Sequence, residues 1–257
     1  MNFLKIQALG NDFVIWGTPS NTVLPDEEAI RFLCDRHYGI GADSAVYIAR
    51  SNNADYAMHI YNPDGFEAEM CGNALKCSMQ YCIERGFFNK RCAIVETKSG
   101  LRSVYESDGL ITAEIGKATI LEKGVLNIAG LQFPYRLISV GNPHCVIFTD
   151  EAIGDEFPYI ASAIENHPNF PNKTNVEFAR YLDDNTIDIR IWERGIGETL
   201  SCVTGSCACV EAVVDQFNLN GKFKVKQAGG IVEVDRKECR TAFVTGKCET
   251  VYKGTII

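Results

Sequence analysis

Two cysteines stand out by position. Cys71 and Cys202 lie 131 positions apart (202 − 71 = 131), and each closes a Glu-x-x-x-Cys frame, Glu67 to Cys71 and Glu198 to Cys202. Small or polar residues follow, Gly72-Asn73 in one case and Val203-Thr204-Gly205 in the other, and then a run with helical hydrophobic spacing. Each thiol therefore falls at or just before a helix N terminus. There the backbone N–H groups and the positive dipole end make an anion site. The same field draws a cysteine down from a pKa of about 8.5 toward the range of a general base. Two such thiols presented to one carbon acid from opposite sides can remove a proton from one face and return it on the other, while the helix ends hold the carboxylate charge that accumulates. That is racemase chemistry, and it needs no organic cofactor; no lysine sits in a recognisable pyridoxal phosphate motif. The competing reading is a pair of core cysteines at helix starts, because free Cys packs as a small hydrophobe. Polar neighbours repeat in the same register, Asn11 with Asn142, Asn62 with Glu193 and Glu67 with Glu198, and polar residues are not normally retained for packing. On residues alone both readings stand.

The elements that must carry these thiols repeat with the same offset. Gly10-Asn11 and Gly141-Asn142 are 131 apart, and so are the alternating runs MHIYN (Met58 to Asn62) and IRIWE (Ile189 to Glu193). This pattern reads as a tandem duplication of one unit of roughly 130 residues. In each unit a strand leads through a glycine-containing turn into a core-facing helix, Cys71 to Arg85 or Cys202 to Phe217. Further strands are expected at Ala93 to Thr97, Leu101 to Tyr105, Ile111 to Ile115, Phe223 to Lys226, Ile231 to Val234 and Thr241 to Val244, with helices at Asp26 to Arg36 and Ile153 to Glu165. The class is α+β: two pseudo-symmetric lobes, each a strand-rich, barrel-like wrap around one helix. Residues 1–117 form the first lobe and 118–247 the second, with the boundary in a stretch, Lys117 to Leu131, that lacks a strong pattern.

Composition narrows the partners. The 257 residues carry a net charge of -8, from 33 acidic against 25 basic side chains with no Lys/Arg block. That removes the counterion-release drive for nucleic acid. No apolar run reaches the ~18 residues of a membrane span, and Asn11 and Asp12 interrupt the place where a signal peptide needs its apolar stretch. A cytoplasmic protein with a small-molecule partner is expected. The eleven cysteines are odd in number and irregularly spaced, so they read as thiols rather than a disulfide framework. The closest group, Cys202, Cys207 and Cys209, does not have the spacing of common zinc sites, and no metal is expected.

Taken together, LGNDF (Leu9 to Phe13), RHYGIGAD (Arg36 to Asp43), YNPDGFEAEMCGNALKC (Tyr61 to Cys77), VGNPH (Val140 to His144), NVEF (Asn175 to Phe178) and ERGIGETLSCVTGSCA (Glu193 to Ala208) resemble the diaminopimelate epimerases, over nearly the whole chain. The resemblance implies a cofactor-independent enzyme interconverting LL- and meso-diaminopimelate, a homodimer, and a C-terminal strand, 248–257, that completes the first lobe. It makes Cys71 and Cys202 the acid/base pair. Gly72-Asn73 and Val203-Thr204 would bind the reacting carboxylate through backbone N–H groups. Asn11, Ser44, Asn62, Asn142, Asn175, Glu193 and Arg194 would bind the rest of the substrate, with Arg194 the natural bidentate partner of a distal carboxylate. His144 and Glu193 would tune the thiols. For His144 a turn histidine that merely bonds backbone is an equal reading. The chain departs from the family at Val203, where Gly is usual, at Ser44, where Gln or Gly is, at Gln7, where His is, and at Lys76, where Arg is. A racemase of another amino acid, such as histidine or glutamate, and a non-catalytic thiol-rich binding protein are the alternatives. Proline racemases match less well, because they carry His where this chain has Asn73.

Overall fold

The computed structural model describes residues 1–256, which divide into two compact units. Residues 1–114 together with the C-terminal segment from Thr245 form unit 1, and residues 115–244 form unit 2. In chain order the elements are β1 (Asn2–Ala8), β2 (Asn11–Gly17), α1 (Glu27–Cys34), β3 (Ser44–Ala49), β4 (Tyr56–Tyr61), β5 (Glu67–Ala68), α2 (Gly72–Glu84), β6 (Cys92–Thr97), β7 (Gly100–Ser107) and β8 (Leu110–Lys117). They continue as β9 (Thr119–Ile128), β10 (Leu131–Ser139), β11 (Pro143–Phe148), α3 (Phe157–Glu165), β12 (Asn175–Tyr181), β13 (Thr186–Glu193), β14 (Gly197–Glu198), α4 (Val203–Phe217), β15 (Gly221–Gln227), β16 (Gly230–Arg236), β17 (Thr241–Gly246) and β18 (Glu249–Thr255). The class is α+β, as the pattern of the sequence requires.

In unit 1 strands joined by a short turn pair antiparallel, and β2–β3 and β4–β6, each bridged by a helix, pair parallel, which is what strand connectivity demands. β18 and β2 flank β1 on its two edges, both antiparallel, so the C-terminal strand belongs to this unit. β2 pairs parallel with β3 after α1, and β4 pairs parallel with β6 after α2. Unit 2 repeats the order. β10 pairs antiparallel with β9 and β11, β11 pairs parallel with β12, and β13 pairs parallel with β15.

One helix of each unit is central. α2 packs on β1, β2, β3, β4 and β7, and α4 on seven strands from β9 to β16. Its residues are accordingly buried on nearly every side, Gly72 to Met79 without a break, rather than along the single face that helical spacing suggests. The other helix covers the outside of the wall. In unit 1, Ile30, Leu33 and Cys34 of α1 pack with Val14, Trp16, Ala45 and Tyr47. In unit 2, Phe157, Ala161 and Ile164 of α3 pack with Val176 and Phe178. Strands covered on both faces read as continuous apolar runs, and all six residues of β3 are buried.

Two boundaries differ from the sequence reading. α3 begins at Phe157, with Pro158 in its first turn, not at Ile153; Pro is suited to a helix start because its missing N–H is an orphan there anyway. The patternless stretch after Lys117 is the ten-residue strand β9, whose side chains are almost all exposed or half-buried, so no apolar alternation marks it. Among the described residues no helix is long and apolar enough to cross a membrane.

Candidate active-site residues

Both singled-out cysteines are helix N-caps. Cys71 precedes α2 with φ -136° and ψ 124°, and Cys202 precedes α4 with φ -133° and ψ 115°. The two are therefore held in the same extended cap conformation, with their side chains at the positive end of a helix dipole. The Glu-x-x-x-Cys frames have a structural account. Glu67 Oε1 lies 2.7 Å from His59 Nδ1, closing the β4–β5 pair, and Glu198 takes both Nε (2.6 Å) and Nη2 (3.1 Å) of Arg190, closing β13–β14. His59 and Arg190 are themselves 131 apart (190 − 59 = 131), so the same cross-strand latch precedes each cysteine.

In unit 1 the Cys71 Sγ donates to Asn11 Oδ1 at 3.8 Å. Asn11 is oriented in turn, because its Nδ2 donates to Asp43 Oδ2 at 2.9 Å. Asp43 belongs to an ion cluster in which Arg36 grips both Asp12 and Asp43, and Lys5 lies 2.8 Å from Asp12. Burial pushes the Asp12 carboxyl up, and Arg36, Lys5 and the Asp43 backbone N–H outweigh it, leaving Asp12 below the ordinary carboxylate range. Gly72 and Asn73 occupy the first turn of α2. Ser44 is buried at the start of β3, opposite Phe13. Asn62 is exposed in the turn after β4, its backbone bonded to Phe66 and Gly65.

Unit 2 surrounds Cys202 more completely. Its Sγ accepts from the Gly205 N–H at 3.3 Å and lies 3.3 Å from Thr204 Oγ1. Thr204 Oγ1 accepts from Asn142 Nδ2 at 3.4 Å, which leaves the hydroxyl proton to be directed at the sulfur. Asn142 Oδ1 accepts from His144 Nε2 at 3.0 Å, and His144 Nδ1 pairs with Glu177 Oε1 at 2.6 Å. His144 and Glu177 are both fully buried. His144 is thus bonded through its side chain into the surroundings of Cys202, and the turn-histidine alternative does not hold. Helix position alone leads one to expect a lowered thiol. The structure places Cys202 well above its ordinary value instead, because burial dominates, and the charges of Glu193 and Glu177 add to it against the weaker pull of Thr204 and Gly205. Val203 is buried at the first helical position. It is not among the residues with positive φ, so a β-branched side chain is compatible with that backbone.

A second group stands beside these. Asn175 Nδ2 donates to the Pro143 carbonyl at 2.8 Å, and the Arg194 N–H donates to Asn175 Oδ1 at 2.9 Å. Thr199 Oγ1 donates to Glu193 Oε1 at 2.6 Å. Glu165 of α3 accepts from the Trp192 indole and the Gly195 N–H, both at 2.8 Å, and so fixes the loop that carries Glu193 and Arg194. The Arg194 guanidinium is exposed, with Nη1 donating to the Asn172 carbonyl at 3.3 Å.

Two residues of the site escaped the sequence reading. Glu177 holds His144, and Gln227 at the end of β15 is buried with its Oε1 accepting the Cys202 backbone N–H at 3.0 Å. Glu177 had a signal, a carboxylate inside an otherwise apolar strand. Gln227 had none, since it lies 25 residues from its partner.

The chain matches the family described as diaminopimelate epimerase over residues 3–121 and 136–251. It is 34% identical over 282 residues to the diaminopimelate epimerase of Leptospira biflexa, covering 100% of this chain and 99% of that one. To the diaminopimelate epimerase of Acetivibrio thermocellus it is 36% identical over 277 residues, covering 100% and 98%. Among solved structures it shares its fold with a hydroxyproline epimerase from Agrobacterium vitis, with a TM-score of 0.76 at 16% identity over 99% of this chain and 91% of the other.

Proposed function

The chain belongs to the diaminopimelate epimerase family, and from that membership we propose that Cys71 and Cys202 are the acid/base pair of an isomerase interconverting LL- and meso-diaminopimelate. The observation that carries the reading is the repeated placement of a cysteine as N-cap of the central helix in each unit, with its sulfur in a hydrogen bond to a neighbouring side chain.

One cysteine removes the Cα proton as thiolate and the other returns a proton as thiol. Burial and the charges of Glu193 and Glu177 push the Cys202 thiol up; each cysteine serves as base toward one stereoisomer and as acid toward the other. The carboxylate on the reacting carbon takes backbone N–H groups from Gly72-Asn73 and Val203-Thr204, where the dipole ends stabilise the charge that spreads into it as the proton leaves. Asn11, Ser44, Asn62, Asn142, Asn175 and Glu193 hold the remaining polar groups. Arg194 takes the distal carboxylate, its exposed fork exchanging a carbonyl partner for a bidentate one. His144 acts on the thiol through Asn142 and Thr204. The same reading includes a homodimer in the cytoplasm; light scattering giving the mass of a single 28.5 kDa chain would remove the dimer.

The test is proton NMR of the reduced protein in deuterated water with LL-diaminopimelate and, separately, single L-amino acids. Loss of the Cα–H signal on diaminopimelate with appearance of the meso isomer is expected. Exchange on another amino acid alone would reassign the substrate, and ligand binding without exchange would overturn the catalytic reading. Cys71→Ser and Cys202→Ser are each expected to abolish turnover and leave ligand binding.

A further inference from the structure

The outer wall of unit 2 holds a cavity to which the proposed reaction assigns no role. It has a volume of about 350 Å³ and lies between the loop leading to α3 and the strands β12, β13 and β15, a size that suits a small molecule. Its polar lining is a row on neighbouring strands. Arg180 of β12 pairs across to Asp188 of β13, and Asp188 to Lys226 of β15. Phe178 and Ile153, which pack in the outer core cluster of this unit, supply an apolar side.

The row offers more donors than the fold satisfies. Arg180 Nη2 donates to Asp188 Oδ2 at 2.9 Å, the only hydrogen bond of this guanidinium among the described residues. Its Nε is buried without a partner, so the fork is half filled. Gln227 also lines the cavity, is 5% exposed, and has a second buried donor without a partner, its Nε2. Three basic and two acidic side chains line the space, and Arg190 and Glu198 are taken up with each other, so the exposed Lys226 is left uncompensated. Buried donors without acceptors are costly. A carboxylate answers both the excess positive charge and the open fork. The repeat itself does not demand these charges. At the equivalent cross-strand pair of unit 1, 131 residues earlier, stand Ala49 and Ala57, both buried.

We propose that this cavity is a second ligand site, separate from Cys71 and Cys202, for a small carboxylic acid with a short apolar body. The carboxylate takes Arg180 and Lys226, and the body lies against Phe178 and Ile153. Gln227 joins the site to Cys202. Its Oε1 accepts the Cys202 N–H at 3.0 Å, and the Gly229 N–H donates to the Leu200 carbonyl at 2.8 Å, so the segment bordering the cavity holds the residues before the thiol. An acceptor placed on Gln227 Nε2 polarises the amide and strengthens its oxygen as the acceptor of the Cys202 N–H.

The probe is isovalerate, titrated at constant ionic strength into isotope-labelled protein and followed by NMR, with acetate and inorganic phosphate titrated in parallel. Isovalerate is expected to give saturable shifts at the Arg180 Nε–H, the Gln227 side-chain amide and the Cys202 N–H, the last moving downfield and exchanging more slowly. Acetate, which lacks the buried carbons, is expected to bind at least about tenfold more weakly. Lys226→Gln, at an exposed position, is expected to weaken isovalerate by about tenfold, the loss of one hydrogen bond to a charged group. Arg180→Ala together with Asp188→Ala installs the pair that unit 1 carries and strands no charge; it is expected to abolish the shifts and to leave turnover without isovalerate unchanged. Shifts confined to the first turns of α2 and α4 would place the carboxylate at the helix ends and overturn the proposal. Phosphate binding as tightly as isovalerate, wild-type affinity in Lys226→Gln, or a Cys202 N–H that stays still while Arg180 and Gln227 move would each overturn it too.

Discussion

Gly205 in the first turn of α4 sets a test of the buried chain behind Cys202. A Cβ at this position would come within 2.6 Å of Glu177 Oε1 and 3.3 Å of its Cδ and Cγ. A surface carboxylate would swing aside. Glu177 is fully buried on β12, and the oxygen in question is the one 2.6 Å from His144 Nδ1. Replacing a helical Gly by Ala ordinarily stabilises by roughly 1 kcal/mol through helix propensity. Against that stand overpacking, about 1–3 kcal/mol, and weakening of a hydrogen bond to a charged group, about 1.5–3 kcal/mol. The balance for Gly205→Ala is a net loss of about 1.5–5 kcal/mol. Denaturant unfolding reads it as a lower midpoint at unchanged slope. Turnover falls as well, because displacing Glu177 releases His144, and with it the bond from Asn142 to Thr204 that directs the hydroxyl at the sulfur. A Gly205→Ala protein as stable as the wild type or more so would mean that propensity wins and that Glu177 is free to move, and the buried chain would lose its claim on Cys202.

Three further outcomes follow from the same contacts. Thr204→Val removes the hydroxyl 3.3 Å from the Cys202 sulfur, a contact that pulls the thiol down; a hydrogen bond to a charged group is worth about 1.5–3 kcal/mol, so the pH profile of turnover moves up, while Thr204→Ser stays near the wild type. Gln227→Met leaves the Cys202 N–H without its 3.0 Å acceptor, so hydrogen exchange at that amide accelerates and kcat falls more than KM rises; an unchanged exchange rate would remove Gln227 from the site. Asp12 is held below its ordinary carboxylate range in the fold, the bonds from Arg36 and Lys5 overcoming burial. Its contribution is therefore present above the unfolded pKa of about 3.9 and lost as pH falls through the lower folded value. Asp12→Asn is accordingly less stable than the wild type at neutral pH, with the gap closing in acid; a gap that stays constant into acid would show that the charge is not the cause.

What the sequence discloses depends on whether a residue's reason for being there is local. The 131-residue offset is visible at Gly10-Asn11, Glu67 and Cys71 because turns, latches and caps act over a few residues and constrain residue type. The same offset relates α1 to α3 and β3 to β12, where apolar residues substitute for one another and identity fades. β9 is invisible because exposure removes alternation, and periodicity sets the start of α3 too early because apolar Ile153 counts toward it while Pro158 fixes the first turn. The lowered thiol expected from the helix dipole fails at Cys202 because the dipole is a property of the helix, read locally, whereas burial and the charges of Glu177 and Glu193 arrive from other strands. Gln227 fails to announce itself for the same reason.

The duplication is faithful in architecture and broken in chemistry. Subtracting 131 from His144 and Glu177 gives Phe13 and Val46, both fully buried and apolar. Cys71 is bonded to an asparagine steered by a charged, partly exposed cluster, and Cys202 to a threonine at the end of a buried His–Glu pair. The two thiols therefore do not share one set of neighbours. An enzyme that interconverts mirror images gains from matched groups, because its two directions are energetically identical. LL- and meso-diaminopimelate differ at one of two centres and are diastereomers, so each approaches with a different remainder of the molecule and the thiols need not match. The broken repeat therefore fits an epimerase acting on one centre of a two-centre substrate better than a racemase of a simple amino acid. Restoring symmetry supplies the check. Converting His144 and Glu177 together to Phe and Val removes the pair as a unit, without leaving an isolated buried charge, and is expected to change the two directions of turnover unequally at saturating substrate. Equal loss in both directions would show that the pair serves folding alone.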